Sequence, residues 1–141
     1  MHAVPKDPRA LLRAWRTLPE PDIEAMQGTF EGEFVGPVRL FSAGLALCGM
    51  PGWHGKRFDT PTEGINRLVG REGFPMHATL GPSWADGRTA IVATYGRTER
   101  PPFRWIRDEF RAWDDRTLLG LSFLGAPGVK RLGAPFLLHR A

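Results

Sequence analysis

The clearest pattern in the chain is an alternation late in the sequence. Taken as an extended segment, Phe103 to Trp113 puts Arg104, Ile106, Asp108, Phe110 and Ala112 on one side. Phe103, Trp105, Arg107, Glu109, Arg111 and Trp113 fall on the other. Strands frame it on both sides. Asp86-Gly87 is a hairpin signal, and Arg88–Tyr95 follows it as a β-branched run. Asp114 to Thr117 reads as a turn, Leu118–Leu124 returns as an apolar strand, and Gly125–Gly133 is a Gly/Pro-rich loop. Ala134–Arg140 ends the series.

Upstream, Gly28–Phe34 reads as a strand with Phe30 and Phe34 on one face. Trp53–Asp59 reads as another, with His54, Lys56 and Phe58 on one side and Trp53, Arg57 and Asp59 on the other. Weaker strands are predicted over Gly64–Arg71 and Met76–Leu80. Helical spacing occurs twice. Asp7 and Pro8 form an N-cap and first helical position ahead of Leu11, Leu12 and Trp15, and Pro19 and Pro21 end that helix. Asp22 to Met26 adds a further turn, and Val38, Phe41, Leu45 and Cys48 follow a helical stripe.

The predicted class is therefore mainly β: short sequential strands with hairpin signals, curled into a small antiparallel β-barrel that removes exposed edges, with one or two short N-terminal helices. Residues 1–27 form a helical segment packed on the body, and 28–141 form the barrel domain. The 17 Gly and 13 Pro in 141 residues support this, since so many backbone punctuators leave little room for long helices.

Charge and cysteine content change the picture only slightly. The net charge of +4 invites nucleic acid, but the 19 cations are scattered and interleaved with 15 carboxylates. The stripe Trp105, Arg107, Arg111, Trp113 has the aromatic-basic character of a single-strand binder. Glu109 interrupts it, so a solvated outer face is the simpler reading and no nucleic-acid partner is expected. A single cysteine, Cys48, forms no internal disulfide, and no apolar run approaches a membrane span; the expectation is a cytoplasmic protein with no membrane partner. Both monomer and homodimer are compatible with the sequence.

Several motifs resemble the GXWXG family together with its companion C-terminal domain of unknown function. They are Met26–Gly32, Gly52–Asp59 and Asp108–Leu121, with the ending Pro135–Arg140. The resemblance implies a lipocalin-like or calycin-like barrel and carries no activity with it. Two positions depart from the family pattern: Phe30 stands where the motif has tryptophan, and His54 where an aromatic is usual.

Candidate chemistry gathers on few residues. An interior His54 is a candidate general base, with Lys56 polarising a carbonyl or binding a carboxylate and Asp108 orienting the imidazole. Asp108 lies between Ile106 and Phe110, so it needs a cationic partner, for which Lys56 and Arg57 are available. Phe30, Trp53, Phe58, Tyr95 and Phe110 are candidate wall residues for an apolar or aromatic ligand, and Lys56, Arg57 and Arg111 for its polar or anionic end. The leading expectation is thus a carrier or sensor of such a small molecule. A cofactor-independent cyclase, isomerase or hydratase using His54 and Asp108 is the alternative. No metal spacing connects the histidines and no cofactor is predicted, although a haem held by His54, His77 or His139 stays compatible with the sequence.

Overall fold

A computed structural model describes residues 4–35, 52–96, 99–128 and 133–141. Eight antiparallel strands close into a barrel in simple sequence order: β1 (Gly28–Phe34), β2 (Gly55–Phe58), β3 (Glu63–Leu68), β4 (Arg71–Pro82), β5 (Thr89–Tyr95), β6 (Ile106–Ala112), β7 (Thr117–Leu124) and β8 (Ala134–Arg140). Pairing of Phe34 with Phe136 and of Phe30 with Arg140 joins β8 back to β1 and closes the ring. The helix stripe Val38–Cys48 falls outside the described residues.

The alternation in β6 decides the packing as the sequence predicts. Ile106 and Phe110 point inward beside Phe30, Phe58, Tyr95, Leu118, Phe136 and Leu138. Neighbouring β7 is apolar at nearly every position because both of its faces are covered. Leu118 joins the interior, while Leu119, Leu121 and Phe123 meet a second core outside the barrel. That outer core is roofed by the helix α1 (Pro8–Trp15). Asp7 caps it by accepting from the Arg9 and Ala10 N–H groups, and Leu11 and Trp15, one turn apart, bury themselves on the sheet. Leu12, expected on the same face, turns toward solvent.

Three inward glycines make room for rings. A Cβ at Gly64 would strike Phe58, at Gly120 it would strike Phe136, and at Gly32 it would strike the far edge of Trp53. The two ends of the barrel differ. Short connections at 59–62, 83–88 and 113–116 close one end, where a 3-10 turn (Ile23–Met26) inserts Met26 into the core. Arg140 fastens that turn by donating to the Gln27 and Ala25 carbonyls, both at 2.7 Å. The long connections at 35–54, 96–105 and 125–133 all join strands at the opposite end.

Three expected strands are revised. Phe103–Trp105 is a 3-10 turn, so β6 begins at Ile106; Trp105 donates its N–H to the Pro102 carbonyl rather than to a neighbouring strand. The weak strands over 64–71 and 76–80 are β3 and a longer β4 joined by a tight turn at Val69-Gly70, where Gly70 has φ 77°. Among the described residues, no helix is long and apolar enough to cross a membrane.

Candidate functional site

Among the described residues, a polar cluster lies within the apolar interior, built by side chains from separate strands. β2 supplies Lys56, β3 Asn66, β5 Tyr95 and β6 Asp108, and Trp53 enters from just ahead of β2. Lys56, Asn66 and Asp108 are 2%, 0% and 5% exposed.

Asn66 is its hub, and its partners fix its orientation. Lysine ammonium and indole N–H can only donate, so the oxygen facing Lys56 Nζ at 2.8 Å and Trp53 Nε1 at 2.9 Å is Oδ1. Nδ2 then donates to the Phe74 carbonyl and the Tyr95 hydroxyl, both at 2.9 Å. All four hydrogen-bonding capacities of the amide are used.

Lys56 has three acceptors for its three protons: Asn66 Oδ1, Asp108 Oδ2 at 3.2 Å and the Met76 sulfur at 3.0 Å. Burial pushes its pKa below the ordinary lysine value, and the Asp108 carboxylate works in the opposite direction. The Tyr95 hydroxyl is pushed well up, by burial first and then by the nearby Asp108 charge, so the phenol stays neutral. The Lys56 ammonium also lies 5.8 Å from the Trp53 ring and 6.0 Å from that of Tyr95.

Two backbone irregularities aim these groups. Along β3 and β4, Gly64 pairs with Met76 but Asn66 pairs with Gly73, so β4 carries one extra residue at a bulge. Phe74 sits there with φ 55°, a conformation that costs an aromatic residue about 1–3 kcal/mol. Its carbonyl is the one that Asn66 binds, and its ring packs at 4.6 Å on Phe103. Pro75, which has no N–H for a ladder, is tolerated at the same bulge.

The second irregularity precedes β2. A residue in a regular antiparallel strand directs its N–H and C=O to the same neighbour, but His54 splits them: its carbonyl accepts from Gly32 in β1 and its N–H donates to Arg67 in β3. The alternation slips there, and Trp53 and Lys56 both reach Asn66. His54 instead meets the Glu31 carboxylate, 3.5 Å away, with about 40% of its side chain exposed. Gly55 allows the slip because a Cβ there would overlap the Phe30 carbonyl.

Relative to the sequence expectations, the interior gathers Phe30, Trp53, Lys56, Phe58, Tyr95, Asp108 and Phe110 and leaves three residues outside. His54 is on the surface, so it and Asp108 form no acid–base pair. Arg57 alternates outward from Lys56 and is held by both oxygens of Glu72, at 2.8 Å each, and by Asp59. Arg111 faces the helix side of β6: it forks onto Asp86 at 2.7 and 2.9 Å, donates to the Trp15, Arg88 and Thr89 carbonyls, and stacks on the Trp15 ring. That arrangement ties α1 and the β4–β5 turn to the barrel. Glu109 lies on the same outer face, bound by Ser83, Trp84 and Arg107.

Asn66 and Met76 are site residues that the sequence pattern does not single out. The only signal for Asn66 is its place two residues from both Gly64 and Leu68, and the competing face of Ile65 and Val69 is equally apolar. His77 pairs with Glu63 and His139 with Glu33 and Thr117, both outside the barrel. Among the described residues, no group of three His, Cys, Asp or Glu side chains could hold a metal ion.

No family model matches the chain, and no curated protein matches it. A crystal structure of a protein from Thermomonospora curvata is similar, with a TM-score of 0.68 at 22% identity, over 96% of this chain and 88% of that one. At that identity the likeness shows a shared barrel fold.

Proposed function

We propose that the barrel binds a small apolar or aromatic molecule, entering at the end of the long connections and presenting its polar end to the Lys56 cluster. The observation that carries this reading is the buried ammonium itself. A buried Lys–Asp pair is a costly way to fill a core that apolar residues would stabilise as well or better. Buried ionisable groups gathered inside an apolar barrel mark a candidate ligand site.

The surrounding rings support the direction of entry. Phe34, Trp53 and Phe74 are only partly buried, and all three stand toward the end with the long connections. Trp53 spans rim and cluster, packing on Phe34 at 4.9 Å while its indole N–H reaches Asn66. Eight-stranded barrels are wide enough to hold one small ligand in this way. The resemblance of residues 26–32 and 52–59 to the GXWXG family fits the same reading, since Gly32 and Trp53 meet inside the barrel.

Calorimetric titration with naphthalene-sized compounds tests it. Saturable binding at one site per chain, weakened by Trp53→Ala, is the expected result; no heat of binding for any of them would remove the proposal.

A further inference from the structure

We infer that the polar end of the ligand is uncharged, a carbonyl oxygen rather than a carboxylate; this rests on the binding reading above. Among the described residues the buried charged side chains are Lys56, Asp108, Glu109 and Arg111, and the last two belong to the outer face. The interior cluster therefore holds one cation and one anion, and Asp108 already neutralises Lys56. The other cations expected to meet an anionic end, Arg57 and Arg111, are outside and engaged by Glu72, Asp59 and Asp86. A carboxylate ligand would place a second negative charge beside Asp108 in a site with no unmatched positive charge. Like charges set together in a dry site are costly.

A neutral oxygen, by contrast, finds a proton waiting. Two Lys56 protons go to strong acceptors, Asn66 Oδ1 and Asp108 Oδ2, but the third goes to the Met76 thioether, a weak acceptor on a flexible, unbranched side chain. A ligand carbonyl displacing that sulfur exchanges a poor acceptor for a good one and leaves the Lys56–Asp108 charge balance intact. The aromatic body would then lie between Trp53 and the Phe74–Phe103 pair. The inferred ligand class is a flat aromatic ketone, aldehyde or amide.

The test uses two compounds of nearly one shape, 2-acetylnaphthalene and 2-naphthoate, titrated into the full chain at neutral pH by calorimetry. The ketone is expected to bind at least about tenfold more tightly than the acid, because like-charge juxtaposition costs more than that factor. In Asp108→Asn, which leaves Lys56 uncompensated, the preference is expected to shift toward the acid. Equal or tighter naphthoate binding by the unaltered protein overturns the inference, as does a ketone preference that Asp108→Asn leaves unchanged. Should that variant not fold, the ratio in the unaltered protein decides. Binding of neither compound removes the site reading itself, an outcome distinct from binding with the wrong preference.

Discussion

Lys56 Nζ lies 3.2 Å from Asp108 Oδ2 inside a largely apolar barrel lined by aromatic and aliphatic side chains, and each of the two side chains is less than a tenth exposed. Their strands are not neighbours: β2 and β6 face one another across the interior, so the pair links opposite walls. Removing one partner leaves an uncompensated charge out of water, which costs roughly 3–5 kcal/mol, whereas replacing both with apolar groups is close to neutral. Lys56→Met and Asp108→Leu are each expected to lower urea stability by about that amount, and the double variant by much less than their sum. Asp108→Asn is expected to be milder, since its amide oxygen still accepts from Lys56. Additive single effects in the cycle would show that the two groups are not coupled.

Acid should loosen the contact between helix and barrel through Asp86. The Arg111 guanidinium holds the Asp86 carboxyl below its ordinary value, against burial and with help from the Arg88 N–H. The unfolded chain then binds more protons than the folded one between the two pKa values, so stability rises with pH in that window. The contribution is complete above the unfolded value of about 3.9 and is lost as pH falls through it toward the folded one. Glu31 beside Arg67 and Glu72 beside Arg57 shift in the same direction. Urea midpoints are expected to fall as pH drops from about 5 toward 3, with a shallower fall in Asp86→Asn. An identical slope in that variant would assign the acid sensitivity to other carboxylates.

His54 is a surface residue whose ring meets Glu31, so it should be dispensable for both fold and binding. His54→Phe is expected to change stability by no more than about 0.5 kcal/mol, the usual range for a substitution outside the core, and to leave ketone affinity unaltered. A loss of binding in that variant with the fold intact would return the imidazole to the site.

Much of the fold is legible as period-two alternation. Ile106, Asp108 and Phe110 sit inward because the apolar side of β6 faces the core, and Asp7-Pro8 starts α1 as an N-cap should. The inward Asp108 follows from that pattern alone. The side taken by His54 does not, because alternation assumes an unbroken strand and the slip before β2 is set by contacts with two other strands, Gly32 in β1 and Arg67 in β3. Asn66 was hidden for a related reason: its inward register depends on a bulge across β3 and β4 that only the pairing with Gly73 and Met76 reveals. The sequence leaves Arg111 open as a ligand contact because an alternating strand says which side a residue takes but not what covers that side. Here α1 covers it, more than ninety residues earlier in the chain.

Two glycines from the segments that organise the site should respond differently to the same added methyl. At Gly55 the new Cβ would meet backbone, the Phe30 carbonyl, which cannot yield without parting β1 from β2. Gly55→Ala is therefore expected to cost about 2–3 kcal/mol, the upper range for overpacking. At Gly32 the obstacle is the far edge of the Trp53 ring, a side chain that can swing aside. Gly32→Ala is expected to cost less in stability than Gly55→Ala. It should nevertheless expel the indole from its hydrogen bond to Asn66 and remove one wall of the ligand site. The readout is the Trp53 contribution to fluorescence, taken as the difference between each protein and its Trp53→Phe counterpart. That contribution should move to longer wavelength in Gly32→Ala, and ketone binding should weaken with it. An unmoved emission with a large loss of stability would mean that Trp53 is locked in place, and that it is structural rather than a movable wall of the site.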